Sequence, residues 1–485
     1  MVESKNQLYI GGEWVTPSTT NTIEVISPFT EEVIATVPEA AEGDVDRAVE
    51  AAQAALAGPY PQLSAEERAD YLTKLSQAIG ARAMELAETI TAEMGSPASF
   101  SLMGQVFSAT MILDGFANVT RTFPFEEHRA GALGPVLVRK ESVGVSAGIV
   151  PWNVPLFEIA CKLGPALAAG SPIILKPSPE TPLDGYILAE ILDEIGLPKG
   201  MVSLLPAGRE VGEYLVRHPG IDKVTFTGST AAGRKVGAIC GEQLKRVTLE
   251  LGGKSAAIIL DDADLATHLP TLMPSALMNN GQACVAQTRI LAPQGRYAEV
   301  VDAIAEAVKA TSVGDPTDPS VLVGPLVAER QRDRVLGYID KGTSEGAKLA
   351  VGGGRPAGLD KGWFVEPTLF VDVDNAMTIA QEEIFGPVLA VIPYSDEAEA
   401  VKIANDSDFG LSGSVWTTDV ERGIDVARQV RTGTYGVNSM ATIDIHQPFG
   451  GFKASGIGRE FGAEGLAAFL ETKTIVLPGD YQPPS

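Results

Sequence analysis

Short apolar runs alternate with amphipathic segments between residues 143 and 252. The five apolar runs are VGVSAGIVPWN, SPIILKPS, MVSLLP, KVTFTGS and KRVTLELGG, and the four helical patterns between them cover ACKLGPALAAG, YILAEILDEIG, EVGEYLVRHP and TAAGRKVGAIC. Buried parallel strands that are joined by crossover helices give this alternation. We therefore predict a doubly wound α/β domain here. A second αβ alternation, from about residue 254 to 440, predicts a further α/β region.

Two amphipathic segments precede this region. Residues 44–57 have the pattern of an N-capped helix. Residues 64–93 predict one longer helix, which Ser64 opens with Glu67 at the spacing of a capping box.

Composition narrows the range of partners and locations. The chain of 485 residues carries a net charge of −25, which argues against nucleic acid or an anionic membrane as a partner. No apolar run approaches the roughly 18 residues of a membrane helix, and the first residues lack the pattern of a signal peptide. Cys161, Cys240 and Cys284 are too few and too scattered for a disulfide framework or a zinc site. We expect a cytoplasmic protein without a bound metal.

Polar and glycine-rich segments follow several of the predicted strands. In a doubly wound sheet, ligands bind beyond the carboxyl ends of the strands. Gly228 and Ser229 lie where a strand runs into a helix, Gly208 and Gly212 form a second such turn, and Lys176 ends another strand. Together these residues favour a nucleotide site, because helix N-termini suit phosphate groups. The alternatives are glycines that serve only turn geometry and an ordinary surface lysine.

Cys284 is the most conspicuous candidate for chemistry. It lies in NNGQACV, near the end of an amphipathic stretch. From the residues alone it is a packed hydrophobe, a metal ligand or a nucleophile, and no histidine accompanies it as an obvious base.

Eight motifs occur in an order that we associate with one family. They are PWNVPL, KLGPALAAG, ILKPSPETP, DKVTFTGSTAAG, LELGGKS, NGQAC, EEIFGPV and PFGGFKASGIGRE. With these motifs the chain resembles the aldehyde dehydrogenase superfamily, in its hydrolytic NAD(P)-dependent branch, from about residue 8 to 477.

The resemblance implies a subunit of three parts. A Rossmann-like cofactor domain would comprise 1–120 and 143–252, and an α/β catalytic domain 253–440. A small β bridging element would comprise 121–142 and 441–485, with a C-terminal strand near 470–478. Such bridging strands extend the sheet of a neighbour, so a homodimer or homotetramer is expected.

The resemblance also assigns catalytic roles. Cys284 would attack the aldehyde, and a cationic nicotinamide nearby would favour its thiolate. The Asn153 amide and the backbone N–H of Cys284 would stabilise the oxyanion, and Glu250 would activate water against the thioester. Lys162 and Glu471 match a proton-relay pair, for which a plain salt bridge is the alternative. For Asn153 the alternative is a helix cap, and for Glu250 a solvated side chain.

The cofactor contacts follow from the same motifs. Glu383 and Phe385 would hold the nicotinamide ribose and flank the ring, Trp152 and Lys176 would lie on the adenosine side, and Ser229 would contact phosphate. The whole expected set is Val150, Pro151, Trp152, Lys176, Ser178, Pro179, Gly208, Gly212, Phe226, Gly228, Ser229, Leu251, Gly252, Glu383 and Phe385.

One position departs from the family pattern. Pro179 stands where a glutamate usually accepts hydrogen bonds from the adenosine ribose, and Glu180 comes one place later. NAD is the expected cofactor, and NADP stays open because proline cannot repel a 2′-phosphate.

The same pattern predicts an apolar substrate tunnel for a medium aliphatic or aromatic aldehyde. Its expected lining is Val154, Phe157, Glu158, Cys161, Ala283, Val285, Ile443 and Phe449. Glu158 would attract an amino group or lie on the helix surface, of which we favour the second. A cofactor-independent thiol esterase and a catalytically silent structural protein are the competing classes. The retained nucleotide residues argue against the first, and the retained Cys284 and Glu250 against the second.

Overall fold

The computed structural model describes residues 3–440 and 444–481. Its strands are β1 Leu8–Ile10, β2 Glu13–Val15, β3 Thr22–Ile26, β4 Val33–Pro38, β5 Glu126–Gly131, β6 Gly134–Ser142, β7 Ser146–Ile149, β8 Ile173–Lys176, β9 Val202–Leu204, β10 Lys223–Thr227, β11 Arg246–Glu250, β12 Ala256–Ile259, β13 Arg289–Pro293, β14 Lys348–Val351, β15 Thr368–Val371, β16 Val388–Tyr394, β17 Gly413–Trp416, β18 Gly436–Val437, β19 Gly456–Ile457 and β20 Leu470–Val476.

The helices in the described part of the chain are α1 Glu42–Leu56, α2 Ala65–Ala81, α3 Ala83–Met94, α4 Ala98–Phe100, α5 Ser108–Thr122, α6 Pro155–Ala169, α7 Leu183–Glu194, α8 Arg209–Arg217, α9 Thr230–Glu242, α10 Leu265–Leu277, α11 Tyr297–Lys309, α12 Glu329–Ser344, α13 Thr378–Gln381, α14 Glu397–Asn405, α15 Val420–Gln429 and α16 Gly462–Ala467. A π-helical segment, Ser101–Phe107, joins α4 to α5, and short 3-10 turns cover Tyr60–Gln62, Met278–Gly281, Gln294–Arg296 and Lys453–Ser455.

The five predicted apolar runs form the centre of one sheet. Its order is β19-β11-β10-β7-β8-β9-β1-β2, and the five strands from β7 to β11 are parallel. The four predicted helices, α6 to α9, connect them. The prediction of a doubly wound sheet is therefore confirmed. The pairing of β10 with β11 sets Thr227 beside Glu250 at the carboxyl end of the sheet.

A second sheet carries the region after residue 253. Its order is β14-β15-β16-β13-β12-β17-β18, and only the edge strand β14 is antiparallel to its neighbour. The loop that holds Cys284 joins α10 to β13 of this sheet.

A third, small sheet has the order β20-β6-β5. It joins the predicted bridging segment to the C-terminal strand. However, Gly456–Ile457, which the sequence analysis grouped with that element, pairs with β11 of the first sheet. The domain boundaries themselves remain predictions.

The N-terminal helices differ in detail from the prediction. The first begins at Glu42, so Asp44 is its third residue and accepts a hydrogen bond from the backbone N–H of Ala41. The capping box of Ser64 and Glu67 is confirmed. The predicted helix over 64–93 is broken at Arg82, whose backbone leaves the helical region at φ −107° and ψ 24°.

The helical stretch Ala98–Thr122 is long and apolar enough to cross a membrane by length and composition. In the fold, its side chains Val106, Leu113 and Phe116 are fully buried in the interior of the first domain. Met103 and Met111 of the same stretch are exposed, so packing accounts for only part of its apolar character. The prediction that no apolar stretch approaches the length of a membrane helix is wrong by this criterion.

Candidate active site

A cavity of about 220 Å³ lies between the first two sheets, at the carboxyl ends of β7, β10 and β11. Most of its lining residues were predicted as site residues. The lining consists of Pro151, Trp152, Asn153, Thr227, Gly228, Ser229, Glu250, Gly252, Cys284, Gln331, Arg334, Glu383 and Phe385. The structure thus brings the candidate nucleophile, the candidate base and much of the predicted cofactor site together.

An unusual backbone conformation presents Cys284 to this cavity. Asn279, Asn280 and Gly281 have successive φ values of 52°, 63° and 73°. Apart from glycine, asparagine is among the residues that best tolerate this left-handed region. The Asn280 amide fixes the loop by donating to the carbonyls of Gly95 and Pro325, each at 2.9 Å. The NNG sequence therefore shapes the turn ahead of the cysteine.

Cys284 is half-buried: it lines the cavity, packs against the apolar core from its edge, and lies outside the group of possible metal-binding side chains found in the described residues. Burial, followed by the nearby Glu250 carboxylate, raises the pKa of Cys284 well above its ordinary value. In this environment the thiol is protonated at neutral pH. A positive charge that arrives beside it would be needed to favour the thiolate.

Glu250 ends β11 and is only 2% exposed, so the alternative of a solvated glutamate is wrong. Within the described residues, neither carboxylate oxygen accepts a hydrogen bond of standard geometry, although the Cys284 thiol is near enough to interact with it. Burial raises the pKa of Glu250 well above its ordinary value, and the carboxylates of Glu158 and Glu460 raise it further. A raised pKa suits a general base at neutral pH.

Asn153 connects the first sheet to the cysteine loop. Its side-chain nitrogen donates to the carbonyl of Gln282 at 3.0 Å, and its own carbonyl accepts from Asn279 at 2.8 Å. The residue that caps α6 is Val154, with no side-chain cap bond, so the capping alternative for Asn153 is wrong. The backbone N–H of Cys284 donates to no backbone acceptor in the described chain. Both predicted oxyanion donors therefore lie in the same loop system.

The cofactor side of the cavity combines a helix start with a half-buried carboxylate. Ser229 caps α9 by accepting from the backbone N–H of Ala232 at 3.3 Å. Glu383 accepts from the backbone N–H of Gly253 at 3.0 Å, and burial raises its pKa to about 7. A Cβ atom on Gly252 would lie 2.3 Å from the Glu383 carboxylate, so any side chain at this position would displace that carboxylate from its present place.

Two aromatic rings complete the same wall. Trp152 and Phe385 meet edge to face with 5.3 Å between ring centroids. Phe385 adopts a φ of 63°, which is rare for a bulky residue and typical of functional sites.

A second group of predicted cofactor residues lies further along the same sheet edge. Lys176 is only 7% exposed and donates to the carbonyls of Pro177 and Ala207 at 3.0 and 2.7 Å, so it is not an ordinary surface lysine. Burial lowers its pKa to about 8. A Cβ atom on Gly212 would lie 3.2 Å from the Lys176 side chain.

Other members of the predicted set play different parts. Gly208 caps α8. The Ser178 hydroxyl donates to the Glu180 carboxylate, which also pairs with Arg330, and Pro179 lies between them in a half-buried turn. Val150, Phe226 and Leu251 are buried core residues below the cavity floor.

The predicted pair of Lys162 and Glu471 is wrong. Lys162 is fully buried, and its ammonium donates to Glu158 and Thr227 at 2.7 Å each and to Glu460 at 3.4 Å. Glu471 lies on the small third sheet, where it is half exposed and pairs with Arg246. The partner of Lys162 near the C-terminus is thus Glu460, in the bridge that joins it to Phe449.

Three lining residues were not predicted. Thr227 precedes the glycine of FTGST and accepts from Lys162. Gln331 and Arg334 lie one turn apart on α12 and donate to the carbonyls of Phe385 and Glu383, each at 2.7 Å. Their spacing of three residues on a helix was the only sequence signal, and no motif accompanies it.

The predicted tunnel residues partly converge. Phe157, Cys161 and Phe449 are buried in one apolar cluster, and Val154 and Val285 pack against it. Ala283 is half-buried, and Ile443 lies outside the described residues. Glu158 is only 4% exposed and faces Lys162, so the prediction of a helix-surface role was wrong.

A thiol and a buried carboxylate share a cavity at the carboxyl edge of a Rossmann-like sheet, which is the edge where nucleotide-dependent enzymes of this fold class bind their ligands. The model of the aldehyde dehydrogenase family matches residues 14–475. The chain belongs to the aldehyde dehydrogenase family, whose general reaction is the oxidation of aldehydes to acids with NAD or NADP.

Individual relatives agree over the whole length. The geranial dehydrogenase of Castellaniella defragrans is 46% identical, over 99% of this chain and 100% of the relative. A crystal structure of a Mycobacterium tuberculosis aldehyde dehydrogenase complexed with NAD+ is 50% identical, with a TM-score of 0.98 over 99% of this chain and 100% of that one. A mutant aldehyde dehydrogenase C from Pseudomonas syringae, complexed with NAD+ and octanal, is 41% identical, with a TM-score of 0.95 over 98% of both chains.

Proposed function

We propose that this protein oxidises a medium-sized apolar aldehyde to its carboxylic acid with NAD, through a thioester on Cys284 that Glu250-activated water hydrolyses. The observation that carries the proposal is the shared cavity of Cys284 and Glu250, in which the Glu250 carboxylate is buried and free of a strong partner. A base that is already paired would not be available to a water molecule.

The residues present fit a nicotinamide dinucleotide. The N-terminus of α9 at Ser229 offers backbone N–H groups for phosphate, and the half-buried Glu383 offers an acceptor for ribose hydroxyls. Trp152 and Phe385 provide flat apolar surfaces beside the thiol. When bound, the nicotinamide supplies the hydride acceptor and a positive charge near Cys284.

The chain's own groups then carry the covalent steps. The thiolate of Cys284 forms a bond to the aldehyde carbon, and the carbonyl π electrons move to oxygen. The Asn153 amide and the Cys284 backbone N–H donate to that oxyanion, each being worth roughly 10²–10³ in rate in comparable sites. Loss of hydride from the carbon leaves the thioester.

Hydrolysis returns the thiolate. Glu250 takes a proton from water as the water oxygen bonds to the acyl carbon, and the carbon–sulfur bond breaks to release the acid. Lys162 and Glu460, which lie behind Thr227, provide buried groups through which the proton can leave Glu250. Cys284, Asn153 and Glu250, the residues that hydrolysis of the thioester needs, are all present, so coenzyme A is not required.

The apolar character of the tunnel supports the substrate class. Phe157, Phe449 and Phe461 lie in one buried cluster against which Cys284 packs. Relatives named for geranial and solved with octanal act on or bind aldehydes of this type. We therefore infer an unbranched or branched aliphatic aldehyde of medium length.

The direct test is the formation of NADH, followed at 340 nm, with aldehydes of increasing chain length and without coenzyme A. Turnover with octanal and NAD is expected. Turnover that appears only after coenzyme A is added would contradict the hydrolytic proposal, and ester hydrolysis without any NADH formation would favour a thiol esterase.

Cofactor choice has its own test at Pro179. The nearby Glu180 carboxylate is engaged by Ser178 and Arg330, so its charge is partly neutralised. In the Pro179→Glu variant, kcat/KM with NADP should fall by about fivefold more than with NAD, because a new carboxylate repels a 2′-phosphate. An NADP preference that is unchanged or stronger in the variant would contradict this account.

We further propose that the small sheet of β5, β6 and β20 joins subunits into a homodimer or homotetramer, as the resemblance implies. Ile475 and Val476 on β20 are exposed apolar residues that such contacts would cover. Sedimentation velocity at micromolar concentration should find a species of two or four chains, and a monomer would refute the proposal. A cytoplasmic location and the absence of nucleic-acid and membrane partners stay predictions.

A further inference from the structure

Glu158 lies on α6, four residues before Lys162 and behind the cavity that holds Cys284. Its carboxylate is 2.7 Å from the Lys162 ammonium, and both side chains are buried. A carboxylate in the apolar lining expected of a substrate tunnel is costly to bury. Its ion pair with Lys162 offsets part of that cost, yet other carboxylates also need this lysine.

Three buried carboxylates surround the same ammonium group. Glu460 is 3.4 Å from Lys162, compared with 2.7 Å for Glu158, and Glu250 interacts with both glutamates and with Lys162. The carboxyl oxygens of Glu158 and Glu460 lie within 4.8 Å of each other and of the Cys161 sulfur. The Lys162 ammonium therefore interacts with three buried carboxyl groups, of which, in the described chain, only Glu460 also faces a second lysine, Lys223.

The other ionisable groups around this cluster are few. Lys223 faces Glu460 from β10, donates to Thr248 at 2.8 Å, and has a pKa that burial lowers to about 8. Cys161 faces Glu158 and Glu460 from α6. Cys284 faces Glu250 and Glu158 from its loop, and Glu383 faces Cys284 from the cofactor side.

We propose that Glu158 is a positioning residue that, by engaging Lys162 and placing a second negative charge behind Glu250, sets the pH range in which Glu250 works as a base. The proposal rests on the proposed function, since it concerns the hydrolysis of the Cys284 thioester. Glu158 itself touches neither water nor substrate in this account.

Two effects of Glu158 act in the same direction. Its own charge disfavours a negative charge on Glu250, because like charges in a buried site repel. Its ion pair with Lys162 also reduces the attraction that the ammonium exerts on Glu250. Removal of the Glu158 charge should therefore make Glu250 ionise at lower pH and make it a weaker base. A merely structural role would change stability without moving this pH dependence.

The test follows the decay of the acyl-enzyme directly. The enzyme is loaded with NAD and octanal, quenched at intervals, and analysed by intact mass between pH 5 and 9. In Glu158→Gln, the acidic limb of the decay rate should move to lower pH by about 0.5–1 unit, as expected for loss of a nearby like charge. The plateau at high pH should be lower than in the parent.

Two further variants keep the test decisive. Glu158→Asp retains the charge and should keep the limb within about 0.2 units of the parent, whereas Glu158→Met removes the charge with a similar volume and should reproduce the shift. Glu213→Gln is the matched control, because Glu213 forms an exposed pair with Arg217 at the same four-residue spacing on α8. In this control variant, the acidic limb of the decay rate should stay at the same pH as in the parent.

The outcomes separate the two proposals. An acyl adduct with an unshifted limb in both Glu158→Gln and Glu158→Met would overturn the role of Glu158 and leave the proposed function intact. A shift of equal size in Glu213→Gln would also overturn it. The absence of both NADH formation and an acyl adduct when the parent enzyme is mixed with NAD and octanal would instead refute the proposed function.

Discussion

At the scale of one residue, the burial of Lys162 determines which carboxylates form ion pairs with it. Its ammonium is fully buried, and the carboxylates nearby raise its pKa further above the ordinary range. Such a charge is stable in the interior only when carboxylates face it. Glu158 and Glu460 do so, whereas Glu471 lies half exposed beside Arg246.

This difference between the two C-terminal glutamates can be measured. In Glu460→Gln, hydrolysis of the acyl-enzyme should slow by about tenfold. A side chain that transfers the proton directly typically contributes a rate factor of roughly 10²–10⁴, and one that acts through another group contributes less. Glu471→Gln should stay within about twofold of the parent, because it loses only a surface pair. Quenched-flow rates check both. Equal slowing in the two variants would contradict this prediction and indicate that Glu471 also takes part in hydrolysis.

The half-buried Glu383 gives a second prediction at the residue scale. Its pKa of about 7 means that it loses its charge as the pH falls through neutrality. A carboxylate accepts hydrogen bonds from ribose hydroxyls more strongly than a protonated carboxyl group. The Kd for NAD should therefore rise by about tenfold per unit below pH 7, as linkage to one proton requires.

Quenching of protein fluorescence by NAD between pH 5.5 and 8.5 measures this dependence. Glu383→Gln, which cannot ionise, should bind NAD more weakly at pH 8 and show a nearly flat profile. A parent profile that is flat over the same range would contradict the assignment of Glu383.

At the scale of elements, the contact between α3 and α7 contains two buried carboxyl groups. Glu93 of α3 accepts from the backbone N–H groups of Leu183 and Asp184 at 2.8 and 3.2 Å. The carboxyl oxygens of Asp184 accept no hydrogen bond of standard geometry within the described residues, although the backbone N–H groups of Asp184 and Gly185 are near enough to interact with them. Burial raises the pKa of Asp184 to about 7, and burial and the Asp184 charge raise that of Glu93.

The stability of this contact should depend on pH with a definite sign. The folded state binds more protons than the unfolded state between the ordinary carboxyl pKa near 4 and about 7. Stability therefore falls as the pH rises through that window. Asp184→Asn removes the titration of one group. The Tm of the variant minus the Tm of the parent should therefore be larger by a few degrees at pH 8 than at pH 5.

Differential scanning fluorimetry at the two pH values checks this sign. Glu88→Gln, an exposed position on the same α3, is the control and should show no such difference. If Asp184→Asn loses more stability at pH 8 than at pH 5, the raised pKa of Asp184 is wrong.

Elements that bury a regular apolar face could be predicted from the sequence. All five strands from β7 to β11 lie within the predicted runs, because parallel strands with two covered faces need continuous apolar residues. The break at Arg82 could not be predicted, since the apolar pattern continues through it. The guanidinium there bonds Glu85 and the distant Glu190, and such tertiary contacts leave no periodic signal.

The candidate site likewise contains residues that no sequence pattern could indicate. Cys284, Asn153 and Glu250 stand in motifs, and the structure brings them to one cavity. Gln331 and Arg334 come from a helix without a motif, so only the fold shows that they line it. Glu460 was missed because two glutamates lie close together near the C-terminus, and only the packing around Lys162 distinguishes them.

At the scale of the whole molecule, two sheets meet at the catalytic cavity. The first contributes Asn153 and Glu250, and the loops of the second contribute Cys284 and Glu383. Although the thiol and the carboxylate face each other, we propose that they act in successive steps. Cys284→Ser should abolish both NADH formation and covalent labelling, because a hydroxyl is scarcely ionised at neutral pH.

A single-turnover experiment on Glu250→Gln tests this claim most directly. Mixing the variant with NAD and octanal should give about one NADH per competent site, followed by slow turnover, because the thiol still attacks but water is not activated. Intact mass spectrometry should then find the acyl adduct on Cys284 of this variant and none on Cys284→Ser. Turnover of Glu250→Gln at the parent rate, with no adduct, would contradict the account and make Glu250 a structural residue.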